Sequence, residues 1–377
     1  MNIVFICGCI EPGRDGVGDY TQRLSAELVE SGHTCGIIAL NDPYISGSFD
    51  SIITTNHSAI KVLRYSSLKI AIQHKQRIYG WLNLFHADIV SLQFVPFAFH
   101  PKGLPFQLAA FLSELVMQKA LHIMFHELWV GMNVNASFKE KCWGVVQRQL
   151  IRLLVYKLKP AIIHTQTHLY QQQLSRLSIQ SNLLPLFGNI SVFNENGLKK
   201  DSDKIKNNEL RLVLFGGIHP GSPFRQFAED AQQYAKLKNL DINLTLLGRC
   251  GHLQDEFAEI WKSLWMVVTI EGEQSPEYIS RILARSTVGM TTTPLMLLEK
   301  SGTVAAMLEH RVPVICLPQK WATSFSAKAT IPGGIIAYSS QQKNIADCLQ
   351  PEHDAFGLSI NSVSRVARQF LNDLSVR

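Results

Sequence analysis

Residues 299–317 read Glu-Lys-Ser-Gly-Thr-Val-Ala-Ala-Met-Leu-Glu-His-Arg-Val-Pro-Val-Ile-Cys-Leu. A small polar turn, Lys300 to Thr303, opens a short helix that runs into an apolar strand, Val312 to Leu317. The hydroxyls of Ser301 and Thr303 suit a helix cap, Gly302 lets backbone approach closely, and the first-turn N–H groups point at whatever anion sits there. A second glycine-rich stretch, Gly13-Arg14-Asp15-Gly16-Val17-Gly18-Asp19-Tyr20, follows a strand at Ile3 to Ile6. Behind it Tyr20, Leu24 and Leu28 recur at helical spacing, and Gly32 supplies the expected stop. The order is strand, glycine loop, helix. The long interval between strand and helix, with no G-x-G-x-x-G, argues against a nicotinamide or flavin site.

Working outward, strand and helix signals alternate with few hairpin signatures, which predicts an α/β protein with parallel sheets and crossover helices. Strands are expected at Ile3 to Ile6, Cys35 to Leu40, Ile60 to Arg64, Asp88 to Phe94, His122 to Glu127 and Ala161 to Thr165. Further ones are expected at Leu210 to Phe215, Ile242 to Leu247, Met266 to Ile270, Thr287 to Met290 and Val312 to Leu317. A polar run rich in Asn, Lys, Asp and Ser divides them. The expected organisation is an N-terminal domain over 1–186, a linker over 187–209, a C-terminal domain over 210–350 and a terminal helix within 351–377 packed back on the body. A chain of 377 residues is comfortable as two domains.

Hydrophobic residues make up 46% and charged ones 18%, enough for a core in each half. No apolar run approaches the ~20 residues of a membrane span, and with a strand predicted almost at Met1 no signal peptide is expected. The seven cysteines lie mostly in apolar patterns, and Cys7-Gly-Cys9 lacks a partner pair at zinc-ligand spacing. A reducing cytoplasm is the expected compartment. The formal net charge is +6, yet no reader motif or basic stripe with interleaved aromatics predicts nucleic-acid binding. Lys139, Lys141, Arg148, Arg152, Lys157 and Lys159 fall on a helix whose other face carries Val145, Val146, Leu150, Leu153 and Leu154. That pattern predicts either a solvated basic face over a core or a surface able to rest on an anionic bilayer.

His126-Glu127 ends an apolar strand, so both belong to the carboxyl edge of the first sheet, where ligands of open α/β folds bind. Histidine there would orient a hydroxyl or move a proton. Asp19 has two readings: a helix cap, or a base that accepts a proton.

The loop Gly16-Val17-Gly18-Asp19-Tyr20, the segment His126-Glu127-Leu128-Trp129 and the stretch from Glu299 to Val314 together resemble a glycosyltransferase of the GT-B fold, closest in style to glycosyltransferase family 4 (group 1). The resemblance implies two Rossmann-like domains facing each other across a cleft. The C-terminal domain would bind a nucleotide sugar, and the N-terminal one a glycan or lipid-linked acceptor. Gly16, Gly18 and Gly217 would shape the donor region, while Lys300, Ser301, Gly302 and Thr303 would hold the diphosphate. Arg225 would add a second cation, and Glu299 would meet the donor sugar. Family 4 enzymes usually carry a second glutamate eight positions on, where Met307 stands, or Ala306 when counted back from Pro313; Glu309 would serve only on a shortened or rotated helix. Transfer needs charge stabilisation on a leaving phosphate, which cations and a helix N-terminus supply. No Asp-x-Asp stands in a convincing place, so metal-independent transfer with no cofactor is expected. The site residues implied as catalytic are His126, Asp19 and Glu299. The rival readings are a nucleotide-sugar epimerase on the same scaffold and a catalytically degenerate binding module. Peripheral contact with the inner face of the membrane would fit a lipid-linked acceptor.

Overall fold

The computed structural model describes residues 1–55, 58–116, 119–193, 208–323, 330–341, 344–350 and 361–375. The chain forms two compact units: Met1–Pro185 with Ala322–Ala327 and Val363–Arg377, and Leu186–Trp321 with Lys328–Ser362.

The first unit is built on eight strands, β1 (Asn2–Cys7), β2 (Thr34–Ala39), β3 (Ser48–Thr55), β4 (Ser58–Tyr65), β5 (Ile89–Phe94), β6 (Ala120–Phe125), β7 (Ile162–Thr165) and β8 (Asn182–Leu183), in the order β3-β4-β2-β1-β5-β6-β7-β8. Every pairing is parallel except β3 with β4. The second unit has six parallel strands, β9 (Glu209–Phe215), β10 (Asp241–Leu247), β11 (Val267–Gly272), β12 (Val288–Thr291), β13 (Val314–Cys316) and β14 (Ile335–Ala337), in the order β11-β10-β9-β12-β13-β14. Near-continuous apolar runs form the central strands because helices cover both faces of such sheets. Three strands carry no such run and escaped the sequence reading. β3 is a polar edge strand with Phe49 and Ile52 exposed, whereas β8 and β14 are too short to leave a pattern.

The helix Gly16–Glu30 begins inside the glycine-rich stretch. Its N-cap is Asp15, whose Oδ1 accepts from the N–H groups of Val17 at 2.8 Å and Gly18 at 3.4 Å. This corrects the capping role given to Asp19, which lies in the first turn and accepts instead from the Gly13 N–H at 3.0 Å. Gly32 turns the chain out of the helix at φ 85°, as expected.

The C-terminal helix Val363–Ser375 belongs to the first unit. Phe370 is fully buried, its ring 6.1 Å from that of Phe5 on β1 and 5.1 Å from that of His122 on β6. Gln369 Nε2 donates to the Leu183 carbonyl of β8 at 2.7 Å. Residues 351–360 of the expected terminal segment lie outside the described residues, as do 194–207 of the expected linker. The start of that linker is packed: Phe187 and Ile190 are buried, and the Gly188 N–H donates to Glu309 Oε2 at 3.2 Å.

The basic helix, Phe138–Leu158, sits differently from expectation. Its buried residues are Gly144, Gln147, Ile151, Leu154 and Leu158, while Val145, Val146 and Leu153 face outward. The reason is local. A β-carbon on Gly144 would fall 2.2 Å from the Val130 carbonyl oxygen, so this face lies against backbone. Gln147 beside it accepts from the Val130 N–H and donates to the Gly103 carbonyl, at 2.9 and 3.1 Å. Two fixed polar bonds and a glycine contact set the helix rotation, leaving apolar side chains on the outside. Among the described residues no helix is long and apolar enough to cross a membrane.

Candidate functional site

In the second unit the chain leaves β9 toward β10 on one side of the sheet and later returns to place β12 on the other. The carboxyl ends of β9 and β12 are therefore the point at which the strand order reverses, the place where open α/β sheets bind ligands. Residues 216–223 follow β9, and residues 292–301 follow β12.

The residues expected to hold a diphosphate come together at this place. Ser301, extended at φ −84° and ψ 107°, is the N-cap of the helix Gly302–Glu309; its Oγ accepts from the Val304 N–H at 3.4 Å and lies 3.2 Å from Thr303 Oγ1. The N–H groups of Gly302 and Thr303, in the first turn, have no acceptor within the helix. Space above Gly302 is open, since a β-carbon there would come no nearer than 3.8 Å to Asn189 Oδ1. Gly216 has φ 89°, and a β-carbon on it would stand 2.6 Å from Thr303 Cγ2. Only glycine fits there, and it brings the two loops into contact. His219 ties them a second time, its N–H donating to Thr292 Oγ1 at 2.7 Å. Burial lowers the basicity of His219, and the Lys300 charge lowers it further.

The remaining donor-side residues are more dispersed. Gly217 is exposed with nothing near it, and Arg225 is exposed in the first turn of the helix Phe224–Lys238, which has no side-chain cap. Glu299 and Lys300 end a short 3-10 helix, Leu295–Lys300, and are half-buried. The position of the second glutamate is apolar: Ala306 and Met307 are fully buried in the core of this unit. Glu309 lies at the far end of the helix, where it binds Gly188, so it does not replace the missing carboxylate.

In the first unit the edge is held more by structure than by open chemistry. Gly18 lies under a close contact, since a β-carbon there would be 2.5 Å from the Cys9 carbonyl oxygen, whereas nothing stands within 4 Å of such a carbon on Gly16. Gly18 is thus small so that helix and loop can pack. Asp42 is fully buried and accepts from Arg64 Nε at 2.8 Å, with Arg64 Nη2 also 2.7 Å from Glu11 Oε2. Burial pushes the Asp15 carboxyl up, against the two N–H groups it accepts.

His126 is buried just after β6, and its ring meets that of Tyr20 edge-on at 4.9 Å. Both ring nitrogens are engaged: Nε2 with Gln93 Oε1 and Nδ1 with Gln166 Nε2, each at 2.8 Å. The expected role as proton acceptor or hydroxyl-orienting group therefore finds neither nitrogen open. The chain of bonds continues. Gln93 Nε2 donates to Ser91 Oγ at 2.7 Å, which reaches His122 Nδ1 at 2.7 Å; His122 Nε2 reaches His164 Nδ1 at 3.0 Å, and His164 Nε2 reaches Asp373 Oδ2 at 2.9 Å. The Asp373 carboxylate accepts only, which sets every proton along the row in one direction, from Gln166 to Asp373. Burial holds His122 and His164 below the ordinary histidine range, although Asp373 works against this at His164. These residues share one sheet face at period two. The trace in the sequence is a pair of polar residues on one face of each apolar strand and its end: Ser91 and Gln93, His122 and His126 four positions apart, His164 and Gln166.

No family model matches the sequence, and no curated protein matches it. Solved structures match over the whole chain. HepE of Anabaena, in complex with UDP and glucose, superposes with a TM-score of 0.58 at 12% identity over 100% of both chains. Sucrose-phosphate synthase from Thermosynechococcus elongatus gives 0.59 at 13% identity over 99% of this chain and 96% of that one. UDP-GlcNAc 2-epimerase from Neisseria meningitidis, bound to UDP-GlcNAc, gives 0.57 at 11% over 100% of both. At such identities the likeness establishes architecture. The chain has the GT-B fold, with two Rossmann-like units on parallel sheets.

Proposed function

We propose that this chain is a glycosyltransferase that moves a sugar from a nucleoside-diphosphate donor, seated at the β9/β12 crevice, to a glycan or lipid-linked acceptor. The observation that carries the reading is the convergence of Gly216, Lys300, Ser301, Gly302 and Thr303 at the carboxyl edge of β9 and β12. Lys300 supplies positive charge, and the first-turn N–H groups of Gly302 and Thr303 supply fixed dipoles. Such preorganised donors stabilise the charge that develops on a departing phosphate. Arg225 would join when a ligand is present, and Glu299 would face the donor sugar as in family 4. Transfer on this reading needs no metal. His126, bonded at both nitrogens, orders the strand ends that carry Gln93 and Gln166 instead of exchanging a proton. Seven free cysteines, six buried and Cys142 exposed, fit a cytoplasmic enzyme.

A second reading, a GT-B protein that binds without turnover, is favoured by one observation: Met307 fills the place of the ribose glutamate and Glu309 is committed to Gly188. Thermal stability against UDP, GDP, ADP, TDP and CMP sugars separates the two, because a ligand bound only by the folded state raises the melting point. A shift with one nucleotide, lost in Lys300→Glu, followed by turnover of that sugar supports the transferase. Binding without release of nucleotide, under every acceptor tried, supports the second reading. No shift with any nucleotide sinks the transferase and favours a binding or scaffold module whose partner is not a nucleotide.

A further inference from the structure

We propose that the outward face of the helix Phe138–Leu158 is a docking surface for an anionic lipid bilayer. Its warrant is the arrangement of this helix alone, so it stands or falls separately from the donor-site reading.

The helix has 21 residues, about 30 Å at the usual rise. At about 3.6 residues per turn, the buried Gly144, Gln147, Ile151, Leu154 and Leu158 line one side. Phe138, Val145, Val146, Leu153 and Tyr156 fall on the opposite side, and all are exposed, Phe138 by 83% and Tyr156 by 76%. A helix that only covers a core places its apolar residues inward and its charges outward. Here the core side is complete without these five, and a second apolar stripe remains in contact with water.

Cations border that stripe on both sides. Lys139 and Lys157 fall along one flank, and Lys141, Arg148 and Arg152 along the other, with Lys159 at the C-cap. None of the six takes part in an ion pair among the described residues. The helix carries a single acid, Glu140, which lies off the stripe and is held by the Ser137 N–H and Oγ at 2.7 and 2.8 Å. An apolar stripe flanked by long basic side chains matches the acyl and headgroup layers of an interfacial helix, with ammonium and guanidinium groups reaching back to lipid phosphates. The charge complementarity selects an anionic surface, because a zwitterionic one carries no net negative potential to attract the cations.

The test uses the full chain and sedimentation with vesicles of phosphatidylglycerol and phosphatidylcholine in equal parts, or of phosphatidylcholine alone. Binding is expected to the anionic vesicles only, weakened severalfold by raised salt. Arg152→Glu with Lys157→Glu should reduce it roughly a hundredfold, and Leu153→Ser with Tyr156→Ser should reduce it roughly tenfold or more. Both double variants alter exposed side chains, so their melting curves should superimpose on that of the parent. No sedimentation with anionic vesicles overturns the proposal. So does binding that survives either double variant, since the surface would then lie elsewhere. Self-association abolished by Leu153→Ser with Tyr156→Ser, without vesicle binding, overturns it too and assigns the stripe to a second copy of the chain.

Discussion

His122 and His164 meet ring to ring inside the first unit, Nε2 of the former 3.0 Å from Nδ1 of the latter, so protonating that nitrogen of His164 would break the bond between them. Burial keeps both rings neutral, more strongly at His122, where the neighbouring His164 and His126 act in the same sense. In the unfolded chain both titrate near the ordinary histidine value of about 6.5. As pH falls through that value the unfolded state takes up protons that the folded state refuses. Stability is therefore fully present above about pH 6.5 and declines below it, by up to about 1.4 kcal/mol per pH unit for each ring that stays neutral. Denaturant unfolding between about pH 8 and about pH 5 should show this slope, and His122→Asn with His164→Asn should flatten it. Equal slopes in parent and variant would place the acid sensitivity elsewhere.

Gly16 and Gly18 should respond oppositely to the same change. Gly18→Ala drives a methyl to 2.5 Å from the Cys9 carbonyl and 2.9 Å from Ile10 Cα, so a loss of about 1–3 kcal/mol is expected. Gly16→Ala meets nothing within 4 Å and should gain about 0.5 kcal/mol from the lower entropy of the unfolded chain. The comparison needs only two melting curves, and two losses of equal size would refute the packing assignment.

Arg64 matters to stability through Asp42. Arg64→Ala leaves a fully buried carboxylate with the N–H groups of Ile10 and Tyr44, at 3.3 Å each, and the Cys9 thiol as its remaining donors. Breaking one side of a buried pair costs about 3–5 kcal/mol. Urea unfolding of Arg64→Ala should show a loss of this order; a loss below about 1 kcal/mol would mean that the pair behaves as a surface contact.

The contact between Gly216 and Thr303 can be dissected by a double-mutant cycle. Gly216→Ala adds both a strained positive φ and a clash with the Thr303 methyl group at 2.6 Å. Thr303→Ser removes that methyl and should restore the steric part of the loss, leaving about 1 kcal/mol or more of backbone strain. Purely additive effects would show that the loops do not touch in solution. Ser301→Ala, measured beside them, should cost about 1 kcal/mol through the lost cap.

The central strands and the helix after the glycine stretch were legible because burial on both faces demands apolar runs and because Gly32 ends a helix in a recognisable way. The capped helix start at Ser301 was legible because cap residues and glycine act locally. What escaped the sequence depends on contacts between distant segments. Asp15 and Asp19 look alike as caps until the helix start is known. The tie from Glu309 to Gly188 spans 121 positions, and the rotation of the helix Phe138–Leu158 is decided by Val130 and Gly103. His126 sits at a strand end, and only Gln93 on β5 and Gln166 just after β7 reveal that its nitrogens are taken.

Phe370 closes a core that begins with Phe5, which has a consequence for synthesis. A ribosome that has delivered every strand of the first sheet has not yet delivered the helix that covers it, and must first make the whole second unit. The nascent first sheet waits with Phe5 and His122 uncovered, while the second unit is free to fold ahead of it. The unit encoded first is the one completed last, and the interval between them is when a chaperone would find it.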